Sequence, residues 1–350
     1  MAEALQGRSD PRRSADDDGC LLRIRNLTVT YGLGSRRQVR AVADVSLEVG
    51  RGRTLALIGE SGSGKSSIAR AVCGWAPIEG GSITMDGHEL TTAPDRPAAA
   101  GERGIQIVFQ DPVSALDPRW PVWRSVAEPL IRSIESTGER RARAESLLER
   151  VGLDRSFGER RPHQLSGGQR QRVTIARALA PAPKLVILDE AVSALDVSVR
   201  NEILVLLDDL KRGEGLTYLL ISHDMGAVAQ MATEIAVTYL GKVVESGEAR
   251  QVIRHPVHPY TDALLASVPT VSGDAADPSF RPLGEIGDSA HPPSGCRYHP
   301  RCPLAIDLCT AQEPAMLTVR DRLAACHRAE ETGADAVRPP PLPLPHEGGG

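Results

Sequence analysis

Residues 59 to 67 read Gly-Glu-Ser-Gly-Ser-Gly-Lys-Ser-Ser. Small residues let backbone N–H groups approach an anion, and a helix opening directly after them favours negative charge. The spacing is that of the phosphate loop G-x-x-x-x-G-K-S. It assigns Gly59, Glu60, Ser61, Gly62, Ser63, Gly64, Lys65, Ser66 and Ser67 to nucleotide phosphates. Lys65 is expected to reach the β- and γ-phosphates, Ser66 to ligate Mg²⁺ through its hydroxyl, and Ser67 to add a contact. Further on, Leu-Val-Ile-Leu-Asp-Glu puts Asp189 and Glu190 where an apolar run ends. Ligands of open α/β sheets bind at the carboxyl ends of strands. Asp189 there can hold Mg²⁺, and Glu190 can polarise an attacking water. Alone, two such acids are an ordinary exposed strand end. Beside a phosphate loop they point to nucleotide hydrolysis.

These groups need a scaffold, and the patterning supplies one. Residues 22–49 alternate apolar and polar positions, which predicts antiparallel strands with a turn near Gly-Leu-Gly-Ser-Arg-Arg. Thr54–Gly59, Leu185–Glu190 and Leu216–Asp224 carry short apolar runs, as buried strands do. Helical periodicity follows the lysine, recurs from about 118 to 164, and returns at 200–210, while 91–104 reads as a loop. Strands alternating with helices imply a mostly parallel sheet covered on both faces. The chain has 350 residues, 41% hydrophobic and 25% charged, which fits a soluble protein of two units. A net charge of −4 gives no argument for a nucleic-acid partner. No apolar run approaches the roughly 18 residues that span a bilayer. The charged N-terminus lacks the apolar core of a signal peptide, so the expected location is cytosolic.

Gln164-Leu-Ser-Gly-Gly-Gln-Arg-Gln-Arg172 offers a second anion site: Ser166 can cap a helix whose first N–H groups lie at Gly167 and Gly168. This stretch resembles the signature motif of ABC-type ATPases. The other motifs of that family follow in order over residues 22–330. The resemblance implies an α/β P-loop NTPase fold with an antiparallel β-subdomain, a helical subdomain at about 111–165 and ATP and Mg²⁺ as ligands. Tyr31 matches the aromatic that stacks on adenine. Gln110 matches the Q-loop glutamine and joins Ser66 and Asp189 at Mg²⁺. Ser193, Ala194, Leu195 and Asp196 match the D-loop, and His223 the switch histidine. Lys65, Gln110, Glu190 and His223 form the implied catalytic set. Leu165, Ser166, Gly167, Gly168 and Gln169 are implied to close on the nucleotide of a second ATPase subunit. One departure stands out: Ala191 follows the glutamate where the family commonly has proline, which leaves that turn less constrained.

The tail narrows the branch. Residues 255–269 and Gly-Cys-Arg-Tyr-His-Pro-Arg-Cys-Pro from 295 resemble the C-terminal module of oligopeptide and dipeptide permease ATPases. The implied divisions are a disordered tail (1–20), an ATPase domain (21–250), a permease-type module (251–330) and a disordered Pro/Gly-rich tail (331–350). The implied role is to energise peptide import from the cytoplasmic membrane face, beneath two permease subunits fed by an extracytoplasmic binding protein. Nickel, glutathione or oligosaccharide cargo are alternatives, as is a non-transport ABC ATPase. Cys296, Cys302, Cys309 and Cys326 form C-x5-C-x6-C-x16-C. A reduced compartment disfavours disulfides. Iron–sulfur, zinc and no metal all remain open, and the resemblance implies a [4Fe–4S] cluster. Cys73 is expected to be buried.

Overall fold

The computed structural model describes residues 19–34, 38–91, 103–267 and 287–332. Most of the expected terminal tails and of the loop at 91–104, and part of the first turn, lie outside these residues.

Two long strands, β1 (Cys20–Tyr31) and β2 (Val39–Gly50), pair antiparallel, as their alternation predicts. After β3 (Thr54–Ile58) and α1 (Lys65–Val72), β4 (Ile78–Met85) and β5 (His88–Glu89) complete a four-stranded sheet, ordered β2-β1-β4-β5. Next come β6 (Ile105–Val108) and a helical region of α2 (Val122–Ala127), α3 (Thr137–Arg150) and three short 3₁₀ turns. The helical periodicity of 118–164 is thus carried by several short elements. Helix α2 passes into a 3₁₀ turn at Pro129, and α3 starts afresh where Ser136 caps it by accepting from Glu139 N.

Helix α4 (Gly167–Leu179), β7 (Leu185–Asp189), α5 (Val197–Glu214), β8 (Thr217–Ile221), α6 (Met225–Met231) and β9 (Glu234–Tyr239) follow. Strands β3, β6, β7, β8 and β9 run parallel, and β3 and β8 are buried at every residue. The sheet divides the interior: Leu55 and Leu57 of β3 face one core with α1 and the four-stranded sheet, while Ala56 and Ile58 face the other with the helices.

The sheet is less parallel than expected. β10 (Lys242–Glu248) turns back antiparallel on β9. The chain then forms α7 (Ala249–Arg254), α8 (Pro259–Ala266), α9 (Asp307–Ala311), β11 (Leu317–Val319), β12 (Arg322–Ala324) and α10 (Ala329–Thr332). β12 pairs with β10 and β11 with β12, so the tail extends the ATPase sheet to eight strands, ordered β11-β12-β10-β9-β3-β8-β7-β6. Tyr260 and Tyr298 from the tail pack on Tyr239, with ring centroids 4.6 and 5.3 Å away. Such aromatic pairs add roughly 0.5–1.5 kcal/mol each beyond their area burial. The tail is therefore joined to the core by both backbone pairing and aromatic packing.

Candidate functional site: a phosphate loop facing an acidic strand end

The loop between β3 and α1 has glycine where the backbone demands it. Gly59 (φ 147°) lies so close to β9 that a Cβ would stand 2.2 Å from Thr238 O. At Gly64 (φ 105°) a Cβ would stand 2.5 Å from Ala41 O. Gly64 opens α1 and no side chain caps that end, which leaves the first helical N–H groups to an anion. Lys65 is buried, and its Nζ donates to Gly59 O and Glu60 O at 2.8 Å each. Desolvation lowers its pKa, against the pull of Glu190, Asp189 and Glu60.

Parallel β7 brings the acids to this loop. Ser66 Oγ donates to Asp189 Oδ1 at 3.4 Å. Burial first, and the adjacent Glu190 second, push the Asp189 carboxyl above the usual range. A cation would relieve both effects, so this half-buried hydroxyl–carboxylate pair suits Mg²⁺. Glu190 takes left-handed backbone (φ 50°), uncommon for a side chain of this kind and concentrated at functional sites. Its Oε1 lies 3.4 Å from Nδ1 of His223, whose side chain is 61% exposed. Ser193 N and Oγ both donate to Glu190 O, at 3.1 and 2.9 Å. With Ala191 buried beneath it, this turn is held by hydrogen bonds at the place where proline is missing.

The expected second anion site also has its local geometry. Ser166 Oγ accepts from Gln169 N while Gln169 Oε1 accepts from Ser166 N, a reciprocal capping box at the start of α4. Leu165 is buried as an anchor, and Ser166 and Gly167 are exposed. A Cβ on Gly168 would stand 2.5 Å from Val199 Cγ1 of α5. Of the D-loop residues, Ala194 and Asp196 are exposed, and Leu195 is partly buried. Two expected participants stand apart from this cluster. Gln110 is exposed just past β6 and makes no hydrogen bond to Ser66 or Asp189. Tyr31 is half-buried against the β-subdomain core, its hydroxyl without a partner.

The tail cysteines meet. Cys296, Cys302, Cys309 and Cys326 all line one small cavity with His258, His299 and His327. Burial raises the thiols of Cys302, of Cys296 to about 11 and of Cys326 to about 12. Among the described residues, however, no group of three or more His, Cys, Asp or Glu is arranged to hold a metal ion. The expected metal centre therefore finds no support beyond the convergence of the thiols. Cys73 is buried, as expected.

Three contacts were missed by reading the chain in order. Arg200 of α5 ion-pairs with Asp224, which follows His223, and donates to Leu195 O of the D-loop at 3.1 Å. Exposed Phe109 stacks on exposed Trp75 with centroids 6.2 Å apart, beside Gln110. Arg301 reaches Glu60. Each joins segments far apart in sequence, and no local pattern marks them.

Comparison with known proteins agrees with this geometry. The ABC transporter family matches residues 42–193, and the oligopeptide/dipeptide transporter C-terminal region matches residues 244–309. A putative peptide import ATP-binding protein of Brucella abortus is 43% identical over 93% of this chain and 99% of its own. The di/tripeptide transport ATP-binding protein DppF of Pseudomonas aeruginosa is 39% identical, over 89% and 98%. The glutathione import ATP-binding protein GsiA of Escherichia coli is 47% identical over 74% of this chain but 42% of its own. The post-hydrolysis dimer of the ATP-binding cassette MJ0796, bound to ADP and Pi, superposes with a TM-score of 0.59 at 31% identity, covering 66% of this chain and 99% of that one. With its phosphate loop, signature helix and permease-type tail in one fold, the chain belongs to the ATP-binding subunits of ABC transporters, in the oligopeptide/dipeptide branch.

Proposed function

We propose that this chain binds and hydrolyses ATP to drive a peptide importer. The observation that carries the reading is the junction of α1 and β7, where Lys65, Ser66, Asp189, Glu190 and His223 come together. ATP enters as substrate with its phosphates on the loop 59–67 and the open end of α1, and Tyr31 packs on the adenine. Ser66 and Asp189 would hold Mg²⁺, with Gln110 past the end of β6 as a further ligand. The metal supplies charge neutralisation on the phosphates. Glu190 orients and deprotonates the attacking water, Lys65 stabilises the γ-phosphoryl oxygens, and His223 supports the developing charge.

The capping box at Ser166 and the N–H groups of Gly167 and Gly168 close on the nucleotide of a second ATPase subunit. Leu165 and Gln169 hold that helix end, and the D-loop, Ser193 to Asp196, crosses the same interface. The exposed Trp75–Phe109 stack beside Gln110 supports docking of a permease segment on the helical region. Two permease subunits, fed by an extracytoplasmic solute-binding protein, complete the machine at the cytoplasmic membrane face. Among the described residues no helix is long and apolar enough to cross a membrane. Peptides are the favoured cargo because the relatives that align nearly end to end carry peptide names. Glutathione is the runner-up.

For the tail cavity, Cys296, Cys302, Cys309 and Cys326 would be the thiolate ligands of a [4Fe–4S] cluster. Anaerobic purification with iron and sulfide analysis tests this; a colourless protein lacking both refutes it. The transport reading is tested by reconstituting the chain with its co-purifying membrane partners in liposomes. Peptide-stimulated phosphate release and ATP-dependent peptide uptake are expected. ATP turnover indifferent to every peptide and permease would overturn it.

A further inference from the structure

The phosphate loop is gripped from outside by the tail. Arg301, from the turn between Cys296 and Cys302, is buried and lays both terminal nitrogens on Glu60: Nη1 to Oε2 at 2.7 Å and Nη2 to Oε1 at 3.0 Å. Tyr260 of α8 accepts from Glu60 N at 2.8 Å. Ser289 Oγ donates to Gly62 O at 3.3 Å. On its inner side the same segment accepts from Lys65 Nζ, at Gly59 O and Glu60 O. The peptide at Glu60 is thus held between the tail's tyrosine and arginine on one side and the ammonium that meets phosphate on the other.

We propose that Arg301 and Tyr260 are positioning residues for ATP binding, and that the C-terminal module is a clamp that sets the shape of the phosphate loop. A planar guanidinium forked on a carboxylate fixes direction as well as distance, which a lysine does not. The Tyr260 hydroxyl removes one degree of freedom from the loop backbone. Both groups act through Lys65 and the loop amides, and neither reaches the nucleotide. Arg301 lies two residues after His299 and directly before Cys302, both on the wall of the cysteine cavity. Its turn is tied by His299 N to Cys296 O at 3.0 Å and Cys302 N to His299 O at 3.2 Å. A change in that cavity therefore shifts the residue that holds the loop. This rests on the ATP reading of the site.

The test uses the full chain and its variants Tyr260→Phe, Arg301→Lys and Glu60→Gln. Tyr260→Phe removes one hydroxyl and keeps the ring in its aromatic cluster, so it folds even where an arginine variant does not. MgATP dissociation constants, the KM and kcat of ATP hydrolysis, and melting temperature are measured for each. The expected result is weaker MgATP binding, about 2- to 10-fold for Tyr260→Phe and about 10-fold or more for Arg301→Lys. KM rises with kcat at saturation nearly unchanged, since the lost interaction is made equally in ground and transition states. Glu60→Gln combined with Arg301→Lys weakens binding no further than the worse single change. Wild-type affinity in Tyr260→Phe and Arg301→Lys overturns the clamp, whatever their melting temperatures. A wild-type chain that binds no MgATP sinks the ATP reading instead, a separate outcome.

Discussion

His258 is buried where the tail joins the ATPase. The ring is fully enclosed, and its Nδ1 accepts from Tyr260 N at 3.0 Å as the cap of α8. Protonation would turn that acceptor into a donor facing another donor. Burial holds the imidazole pKa at about 3, against an ordinary 6.5. The native state thus refuses a proton that the unfolded chain binds, so stability is intact above pH 6.5 and is lost as pH falls toward 3. Between pH 7 and pH 4.5 those two values give a loss of about 2–3 kcal/mol. Glu245, which accepts from Val257 N and His258 N at 3.0 Å, opposes it. Burial raises its carboxyl, so its contribution grows on acidification. His258→Asn keeps an acceptor for Tyr260 N and leaves Glu245 in place. The assay is urea unfolding from pH 7 to 4.5 for both proteins. The variant is expected to start about 1–3 kcal/mol less stable and then to lose roughly 2–3 kcal/mol less than wild type over the range. Parallel pH profiles for the two proteins would refute the buried-imidazole argument.

Two other substitutions probe the site. Gly168→Ala drives a Cβ against Val199 and should destabilise by about 1–3 kcal/mol in thermal unfolding while lowering ATPase activity. Val199→Ala in the same chain should restore the stability; no rescue would place the requirement for glycine elsewhere. Ser66→Ala removes the hydroxyl 3.4 Å from Asp189, and ATP hydrolysis should then need roughly tenfold more Mg²⁺, about 1.4 kcal/mol. An unshifted Mg²⁺ activation curve would take Ser66 out of the metal site.

How much was legible depended on how local each feature is. The phosphate loop, the acids ending β7 and the capping box at Ser166 are each written in consecutive residues, because strand, turn and cap follow near-neighbour rules. The buried strands announced themselves because parallel strands covered on both faces must be apolar throughout. The antiparallel half of the large sheet was not legible: β12 is three residues long and joins β10 across some 80 residues of chain. Nor were the Arg301–Glu60 fork and the Arg200–Asp224 pair, which depend on where the fold brings distant segments. The left-handed backbone of Glu190 carries no sequence mark, since residue type alone predicts the opposite. The helical region read from periodicity broke at Pro129 and Ser136, both visible as a breaker and a cap.

Under the proposed mechanism Glu190, held beside His223 just past β7, activates the water that cleaves ATP. Glu190→Gln keeps the shape of the side chain and removes the base. The direct measurement is phosphate release from MgATP by the wild-type and Glu190→Gln chains, with MgATP affinity measured on the same samples. A fall in kcat of about 10²- to 10⁴-fold is expected, with affinity retained. Turnover that survives Glu190→Gln unchanged would contradict it.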